Sequence, residues 1–278
     1  MTVSVLLLTL NEEVNLPSFF KSLNWCDDIV VIDSFSSDNT VNLAKQNNAK
    51  VYQRKFDNFA DQRNYALENI SFKYDWILHL DADEIITPEL YAEIKREVNS
   101  EQYDAFKIPS KIMFFGKWLR YAATYPVFQV RLARRKKLRF KKYGHGQREN
   151  LPPKKIGTIM EPYLHYTFSK GFKDWFDKHN RYSTDEAIAT LSAKSSVSSI
   201  DLIGCFSLDQ TKRRRALKLL SFYLPFRPSL RFIYMYFFCL GFLDGYEGLL
   251  YCRLLAYYEK MIILKVRMMS YVNKKDHD

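Results

Sequence analysis

Two carboxylates one residue apart, Asp81 and Asp83, follow the apolar run Trp76–Leu80. Residues two apart on a strand point to the same side, so both carboxylates can face one ligand. Mg²⁺ and Mn²⁺ prefer such oxygen ligands and combine them with phosphate oxygens. The spacing predicts a divalent-metal site that receives a diphosphate. A simple turn, or a helix N-terminus before Pro88, is the alternative interpretation.

Short apolar runs and helical patterns alternate through the first hundred residues. Short connections between them predict a doubly wound, mainly parallel α/β sheet. Ligands bind such sheets beyond the carboxyl ends of the strands, so the polar residues at 9–13, 33–34 and 81–84 should converge on one edge. The predicted strands are 3–8, 28–32, 49–53 and 76–80, and the predicted helices are 17–24, 40–47, 59–68 and 88–98.

The pattern changes after residue 105. We predict strands at 105–115 and 128–132, a basic hairpin or loop at 134–142, a Gly-containing loop at 144–150 and a helix at 172–192. The Ser-rich stretch 194–199 is a candidate linker. Residues 208–270 are helical in tendency, aromatic and basic. These features predict a catalytic domain over 1–205 and an amphipathic helical region over 206–278.

Four motifs occur in order within the first 84 residues: VSVLLLTLNEEVNL, DDIVVIDSFSSDNT, FADQRNYAL and WILHLDADE. With them, the chain resembles the inverting family 2 glycosyltransferases, most of all the bacterial lipopolysaccharide-core β-glucosyltransferase type. The later segments LHYTF, KHNRYS and GFLDGYEGLLY are similar to the same group. The resemblance implies a GT-A fold, which is a Rossmann-like, mixed but mainly parallel sheet flanked by helices, followed here by the C-terminal amphipathic helical region.

The resemblance also implies a donor site. Thr9, Asn11 and Glu12 would hold the nucleoside, and Asp33 would grip the base. Arg63 would approach the diphosphate, which suits a forked guanidinium. A turn aspartate and a surface ion-pair arginine are the alternative interpretations of Asp33 and Arg63.

The resemblance to this family also implies which residues form the metal site. Asp81 would contact the ribose and the metal, and Asp83 would be the metal ligand proper. His165 is a candidate metal or diphosphate ligand, although a lone histidine is often structural. Lys178 and Arg181 lie three residues apart on a predicted helix and could neutralise the leaving diphosphate, with a solvated basic face as the favoured interpretation of Lys178.

Inversion requires a base that deprotonates the acceptor hydroxyl. Glu149 is the candidate, because the related enzymes carry His-Glu at this point. Here Arg148 replaces the histidine, which keeps the role of the glutamate but puts any histidine role in doubt. The alternative is a loop carboxylate paired with Arg148 or Lys142.

Charge is distributed unevenly along the chain. Residues 1–104 carry 9 Lys+Arg and 18 Asp+Glu, whereas residues 105–278 carry 33 and 13. A basic half suits anionic lipid, a phosphorylated substrate or nucleic acid.

The sequence leaves three alternative functions. A nucleic-acid binder would leave the Asp81/Asp83 pair without a purpose. A nucleotidyltransferase would usually need a Gly-rich loop after the first strand, which is absent. A catalytically degenerate relative is a further alternative.

The aromatic and basic stretch 212–271 has the composition of helices that lie in a membrane interface, although it could also cap the core. The longest uncharged apolar run, Phe232–Leu243, has twelve residues, fewer than the ~20 that span a bilayer. The start of the chain reads as a strand and not as a signal peptide. Cys26, Cys205, Cys239 and Cys252 form no CxxC pair, which indicates reduced thiols.

The sequence therefore predicts a metal-dependent, inverting glycosyltransferase that uses Mg²⁺ or Mn²⁺. Its donor would be a nucleotide sugar, with a UDP-sugar favoured. Its acceptor would be lipid-linked or a lipopolysaccharide or polysaccharide. We expect a cytoplasmic protein, peripheral on the anionic inner face of the cell membrane, with no nucleic-acid partner.

Overall fold

The computed structural model describes residues 3–143, 146–196 and 226–275. The chain forms two compact units. The first comprises Met1–Arg120 and Thr124–Trp175, and the second comprises Tyr121–Ala123 and Phe176–Asp278. The predicted boundary at 205/206 lies outside the described residues and stays a prediction.

Strands and helices alternate in the first half of the first unit. All four predicted strands and all four predicted helices of the first hundred residues are present, with ends that differ by one or two residues. The elements are β1 (Val3–Thr9), α1 (Leu16–Ser22), β2 (Ile29–Asp33), α2 (Thr40–Gln46), β3 (Lys50–Gln53), α3 (Phe59–Asn69), β4 (Trp76–Asp81), β5 (Glu84–Ile85) and α4 (Pro88–Glu97).

The rest of the first unit is mostly β-structure. Its strands are β6 (Ala105–Phe114), β7 (Lys117–Trp118), β8 (Val127–Arg134), β9 (Phe140–Tyr143), β10 (Gly146–Glu149), β11 (Ile156–Thr158) and β12 (Tyr163–His165). The prediction of a loop over 144–150 was wrong for residues 146–149. They form β10, which pairs antiparallel with β9 and places Glu149 opposite Phe140.

The main sheet has the strand order β3-β2-β1-β4-β8-β6-β12-β5. β1 pairs parallel with β2 and β4, and β2 pairs parallel with β3. β8 runs antiparallel between β4 and β6. The predicted GT-A-type architecture, a mixed but mainly parallel sheet flanked by helices, is thereby confirmed.

Two buried clusters cover the two faces of this sheet. Val5 and Leu7 of β1 belong to the cluster with α1 and α4, whereas Leu6 belongs to the cluster with α3 and β9. A slip of one residue would turn each of these side chains to the opposite face, so burial fixes the register. Register in turn fixes which residues stand at the strand ends.

The second unit is helical. It contains most of α5 (Gly171–Ser196), then α6 (Arg227–Ile233), a π-helical turn (Tyr234–Phe238), a 3₁₀ turn (Gly241–Asp244) and α7 (Gly245–Lys275). Helix α5 confirms the predicted helix at 172–192 and runs to Ser196, so the first part of the predicted linker is helical. The remainder of the linker and the cluster at 213–215 lie outside the described residues.

Buried charges hold the second unit together. Glu259 is buried and pairs with Arg227 at 2.9 Å and with Arg231. Asp244 accepts the backbone N–H groups of Tyr121 and Ala122 at 2.9 and 2.8 Å. In the described ranges, no helix combines the length and apolar character needed to cross a bilayer.

Asp28, just before β2, joins three segments of the first unit. Its buried carboxylate accepts the Ser4 hydroxyl, the Lys50 ammonium at 2.7 Å and the Lys73 backbone N–H at 2.7 Å. Burial alone would raise the pKa of Asp28, but these donors outweigh burial and the pKa is lowered from its ordinary value. The carboxylate is therefore held in its charged form.

We expect Asp28→Ala to lower the free energy of unfolding by about 3 kcal/mol at neutral pH, because it removes the acceptor from a buried charged network. The folded-state pKa is depressed, so this stability is present above the ordinary pKa of about 4 and is lost as pH falls through the folded-state value. Urea unfolding at several pH values should show the difference from wild type narrowing in acid. Asp27→Ala, at an exposed carboxylate, is the control, and equal losses for both variants would contradict the prediction.

Candidate active site

The predicted polar residues converge on one edge of the sheet. Thr9 at the end of β1 is the register partner of Asp33 at the end of β2. Leu8, one residue earlier on β1, is the partner of Asp81 at the end of β4. The ends of three neighbouring parallel strands thus bring both aspartates to the same edge.

Asp33 is fully buried and organises the loop after β2. Its carboxylate accepts the Thr9 hydroxyl at 3.0 Å, the Ser36 backbone N–H at 2.9 Å and the Gln53 side-chain amide at 3.2 Å. A carboxylate fixed by donors from three directions has one orientation. The position of Asp33 therefore fixes the loop after β2 relative to the end of β1.

Asn11 and Glu12 form the loop after β1. Asn11 has a φ of 55°, a left-handed conformation that asparagine tolerates better than most residues. Its side-chain oxygen accepts the Ser37 backbone N–H at 2.8 Å, which ties the β1 loop to the β2 loop. Glu12 pairs with Lys170 at 2.7 Å, a cation that the sequence interpretation did not single out.

Asp81 is the centre of an ion cluster. Arg63 of α3 donates to one carboxylate oxygen at 2.7 Å, and Arg131 of β8 donates to the other at 2.9 Å. Both arginine side chains are at most 5% exposed, whereas that of Asp81 is 34% exposed. Burial would raise the pKa of Asp81, but the charges of Arg131 and Arg63 outweigh it and hold the pKa well below its ordinary value. Asp81 is therefore ionised.

Glu84 completes this cluster from β5. It is fully buried, accepts the Asp81 backbone N–H at 3.0 Å and pairs with Arg131. Burial raises the pKa of Glu84 to about 7, against the opposing effect of Arg131. Arg131 is buried too, yet the charges of Glu84 and Asp81 raise its pKa well above the ordinary value. The guanidinium is permanently charged.

A β-bulge aims Arg131 at this cluster. Phe106 of β6 opposes Leu132, and the next residue, Lys107, opposes Val130, so Arg131 has no partner in the ladder. Bulges redirect side chains and are common beside active sites. Arg131 was not among the site residues predicted from the sequence. Its place between the apolar Val130 and Leu132 of a predicted strand was the available signal.

Asp83 and His165 face each other next to the ion cluster. The His165 Nε2 lies 3.5 Å from an Asp83 carboxylate oxygen. Pairing of β12 with β5, which sets His165 opposite Glu84, brings them together. Burial would lower the pKa of His165, but the nearby carboxylates, Asp83 first among them, outweigh it and raise the pKa. The structure thus brings Asp83 and His165 together, as the sequence predicts.

This arrangement fits a metal ion that arrives with phosphate ligands. Both oxygens of Asp81 already accept hydrogen bonds from arginines. Asp83 and His165 are therefore the candidate metal ligands among the neighbouring side chains. No three His, Cys, Asp or Glu side chains in the described part of the chain form a ready metal centre. Mg²⁺ is commonly held by one or two carboxylates, with water and phosphate oxygens completing its shell, so this donor set is sufficient.

Asp83 also borders a cavity of about 730 Å³ between α1 and the start of α4. Trp25 stacks on Tyr91 at the cavity wall, with ring centroids 4.3 Å apart. Tyr166, which follows β12, lines the cavity as well. The cavity therefore provides space for a small molecule next to Asp83, the predicted metal-binding residue.

Glu149 is exposed on β10. Its hairpin packs against α3 through Asn64, whose side chain exchanges hydrogen bonds of 2.8 and 2.9 Å with the backbone of Phe140. Arg148 lies over the Tyr143 ring, 3.5 Å from its centroid. The hairpin is thus anchored on the helix that carries Arg63. Arg181 lies on the part of α5 that belongs to the second unit, and its role stays a prediction.

A parallel sheet that continues into antiparallel strands, with helices on both faces, defines a GT-A-type fold. The family model described as glycosyl transferase family 2 matches residues 4–158, more than half of the chain. The chain belongs to this family, which confirms the family that the sequence motifs predict.

Several known proteins are similar to the chain. An uncharacterized glycosyltransferase of Rickettsia typhi is 34% identical over 118 residues, covering 41% of this chain and 40% of the relative. One of Rickettsia bellii is 36% identical over 115 residues, covering 40% and 38%. The chain thus spans about two fifths of the length of the curated relatives it matches.

Solved structures are similar at lower identity. The Staphylococcus aureus TarS 1–349 structure is 16% identical, covers 99% of this chain and 92% of its own, and has a TM-score of 0.44. Mycobacterium tuberculosis glucosyl-3-phosphoglycerate synthase, in complex with Mn²⁺, UDP-glucose and glycerol 3-phosphate, is 18% identical, covers 59% and 72%, and has a TM-score of 0.43.

We expect Arg131→Met to lower the free energy of unfolding by about 3 kcal/mol, because it leaves Glu84 and Asp81 without their shared buried cation. Arg134→Met is the matched control on the same strand, since Arg134 pairs with the exposed Asp75 at 3.3 Å. The control should cost at most about 0.5 kcal/mol. Thermal and urea unfolding of both variants would measure the contrast, and similar losses would contradict the role given to Arg131.

Proposed function

We propose that the protein is an inverting, metal-dependent glycosyltransferase that takes a nucleotide sugar, with a UDP-sugar favoured. The observation that carries the proposal is the sheet edge that brings Asp33, Asp81 and Asp83 together, where two buried arginines, Arg63 and Arg131, pair with Asp81. Family membership supports the same reaction class. The motif resemblance supports a β-glucosyltransferase of the lipopolysaccharide-core type as the finer assignment.

The donor would lie along this edge. Asp33, fixed by Thr9 and Ser36, would accept hydrogen bonds from the base. Asn11 and Glu12 would flank the nucleoside, and the exposed part of Asp81 would reach the ribose. Arg63 and Arg131 hold Asp81 in place and add positive charge near the diphosphate.

Mg²⁺ or Mn²⁺ would be held chiefly by Asp83, with Asp81 beside it and His165 as the second candidate ligand. When bound, the ion would stabilise the negative charge that develops on the leaving nucleoside diphosphate. His165 also orients Asp83 through their contact. Arg181 is a further proposed cation for the leaving group.

Glu149 is the proposed base. Its carboxylate would take the proton of the acceptor hydroxyl while that oxygen bonds to the anomeric carbon. The bond from that carbon to the diphosphate oxygen breaks on the opposite face, and the configuration inverts. Because the Glu149 side chain is exposed at the end of β10, an acceptor would have access to it.

We propose a lipid-linked, lipopolysaccharide or polysaccharide acceptor at the cytoplasmic face of the membrane. The second unit presents aromatic and aliphatic side chains that are each more than half exposed. Exposed apolar groups of this kind mark interaction surfaces, and Phe and Tyr suit a membrane interface. Those between residues 226 and 246 are Phe226, Tyr234, Phe237, Phe238, Leu243 and Tyr246.

We expect Asp83→Ala to abolish Mn²⁺-dependent nucleotide release from a panel of UDP-, GDP- and dTDP-sugars, because the variant lacks the proposed main metal ligand.

We expect Glu149→Gln to bind the donor but to stop transfer, because the amide cannot accept the proton. Asp75→Ala and Glu101→Gln, at exposed sites, are the matched controls. Donor binding and release, followed with circular dichroism, would test these outcomes. No binding or release by wild type with any donor would refute the enzyme assignment, and full turnover by Glu149→Gln would place the base elsewhere.

We expect the double replacement of Phe237 and Phe238 by Ser to weaken binding of the full-length protein to vesicles containing anionic lipid by at least about tenfold, because each buried aromatic side chain contributes roughly 1.5–3 kcal/mol. Replacing the exposed Phe115 and Met160 of the first unit by Ser is the control. Vesicle flotation would measure both. Unchanged binding of the Phe237/Phe238 variant would argue against a membrane role for this surface.

A further inference from the structure

The segment that follows α4 is free of acidic residues. Residues 105–148 contain 13 Lys+Arg and no Asp or Glu. Surfaces that only need to stay soluble usually intersperse both signs of charge. Some of these cations pair with carboxylates from elsewhere in the chain, as Arg131 does with Glu84 and Arg134 with Asp75, and the others can attract anions.

Two lysines of this segment lie on one face of β6. Lys107 and Lys111 are four residues apart, and alternation places them on the same side of the strand. Phe106 and Ile108 point to the opposite side, into the core cluster with α1 and α4. Lys107 lies opposite Val130 of β8, which packs against the cluster with α3 and β9.

Aromatic rings accompany these lysines. The Lys107 ammonium lies 5.1 Å from the Phe128 ring centroid, and the Lys111 ammonium lies 4.6 Å from that of Trp118. The Arg120 guanidinium is 5.8 Å from the same Trp118 ring. We call Lys107, Lys111, Trp118 and Phe128 the cationic face.

The cationic face contains unused hydrogen-bonding capacity. Lys107 and Lys111 are half-buried, and neither forms an ion pair with a carboxylate of the described residues. The Trp118 indole N–H is buried and has no acceptor within the described part of the chain. A partly desolvated ammonium without a counter-ion is costly, so an anion that pairs with it would be stabilised.

The cationic face lies on the same face of the sheet as the side chain of Asp81. On β4, His79 packs on Phe140, a member of the cluster with α3 and β9, and Asp81 is two residues further along, so its side chain points to the same face. Ala105 of β6 belongs to that cluster, and Lys107 is again two residues further along. Lys111 is the register partner of Leu164, which directly precedes His165. The cationic face is therefore next to the proposed reaction centre.

We propose that the cationic face is the acceptor subsite and that it takes a saccharide carrying a phosphate group. Lys111 pairs with the phosphate, Lys107 adds to the field, and Trp118 offers its ring to the sugar and its N–H to an oxygen. The inference rests on the proposed glycosyltransferase function and specifies the acceptor as anionic at or near the accepting sugar.

Titration calorimetry on the full-length protein, with the donor site filled by UDP and Mn²⁺, tests this subsite. The probes are glucose 6-phosphate, glucose and inorganic phosphate. Glucose 6-phosphate should bind most tightly. Lys111→Gln should weaken its binding at least about tenfold, as expected for loss of a charge-assisted hydrogen bond. Trp118→Ala should weaken binding of glucose 6-phosphate more than binding of inorganic phosphate. Lys45→Gln on α2, the same charge change at an exposed lysine, should have no effect.

Equal effects of Lys111→Gln and Lys45→Gln would overturn the proposal, and so would glucose binding as tightly as its phosphate. If inorganic phosphate bound as tightly as glucose 6-phosphate, the sugar would contribute nothing to binding, and this result would also overturn the proposal. Failure of the wild type to bind UDP with Mn²⁺ would instead undo the proposed function. Retained UDP binding without Lys111-dependent binding of glucose 6-phosphate would undo the acceptor inference alone.

Discussion

The ion cluster around Asp81 is the interaction on which the rest of the site depends. Arg63 comes from a helix on one face of the sheet, Arg131 from an antiparallel strand and Glu84 from the short β5. Taking such charges out of water costs several kcal/mol each, which only close pairing offsets. Each group is therefore stable only in the presence of the others. The parallel half of the sheet, α3 and the antiparallel half are consequently held in one arrangement at the edge where the strands end.

The cluster also separates the roles of the two aspartates. Asp81 has a guanidinium on each oxygen, so it resembles a structural anchor whose remaining exposed surface can meet a ribose. Asp83 contacts His165 instead and borders open space. The two-residue spacing makes the carboxylates look equivalent. Their neighbours make Asp83 the better candidate for a metal ion, which supports the proposed order of importance.

The sequence predicted those features that local pattern determines. Buried parallel strands need continuous apolar runs, so β1, β2 and β4 and the polar residues at their ends could be located. The role of Arg131 was not predicted: its place between Val130 and Leu132 is visible in the sequence, but the β-bulge that directs its side chain arises only from the pairing of β6 with β8. The glycines of 144–150 predict a loop, but Gly146–Glu149 form β10, whose backbone hydrogen bonds come from pairing with the preceding β9. The Glu12–Lys170 pair joins residues 158 positions apart, beyond any local signal.

Charge explains why the two parts of the first unit would bind phosphate by different means. The first 104 residues have twice as many acidic as basic residues, and their strand ends carry carboxylates. A diphosphate at such an edge would be repelled unless cations lay between, which is the physical argument for the metal ion proposed at Asp83 and for a role of the arginines around Asp81. Residues 105–148 contain no Asp or Glu, and Lys107 and Lys111 form no ion pair with a carboxylate of the described residues, so these two lysines would pair with a phosphate directly. A donor bridged by metal and an acceptor held by ammonium groups can then occupy neighbouring positions without competing for the same cations.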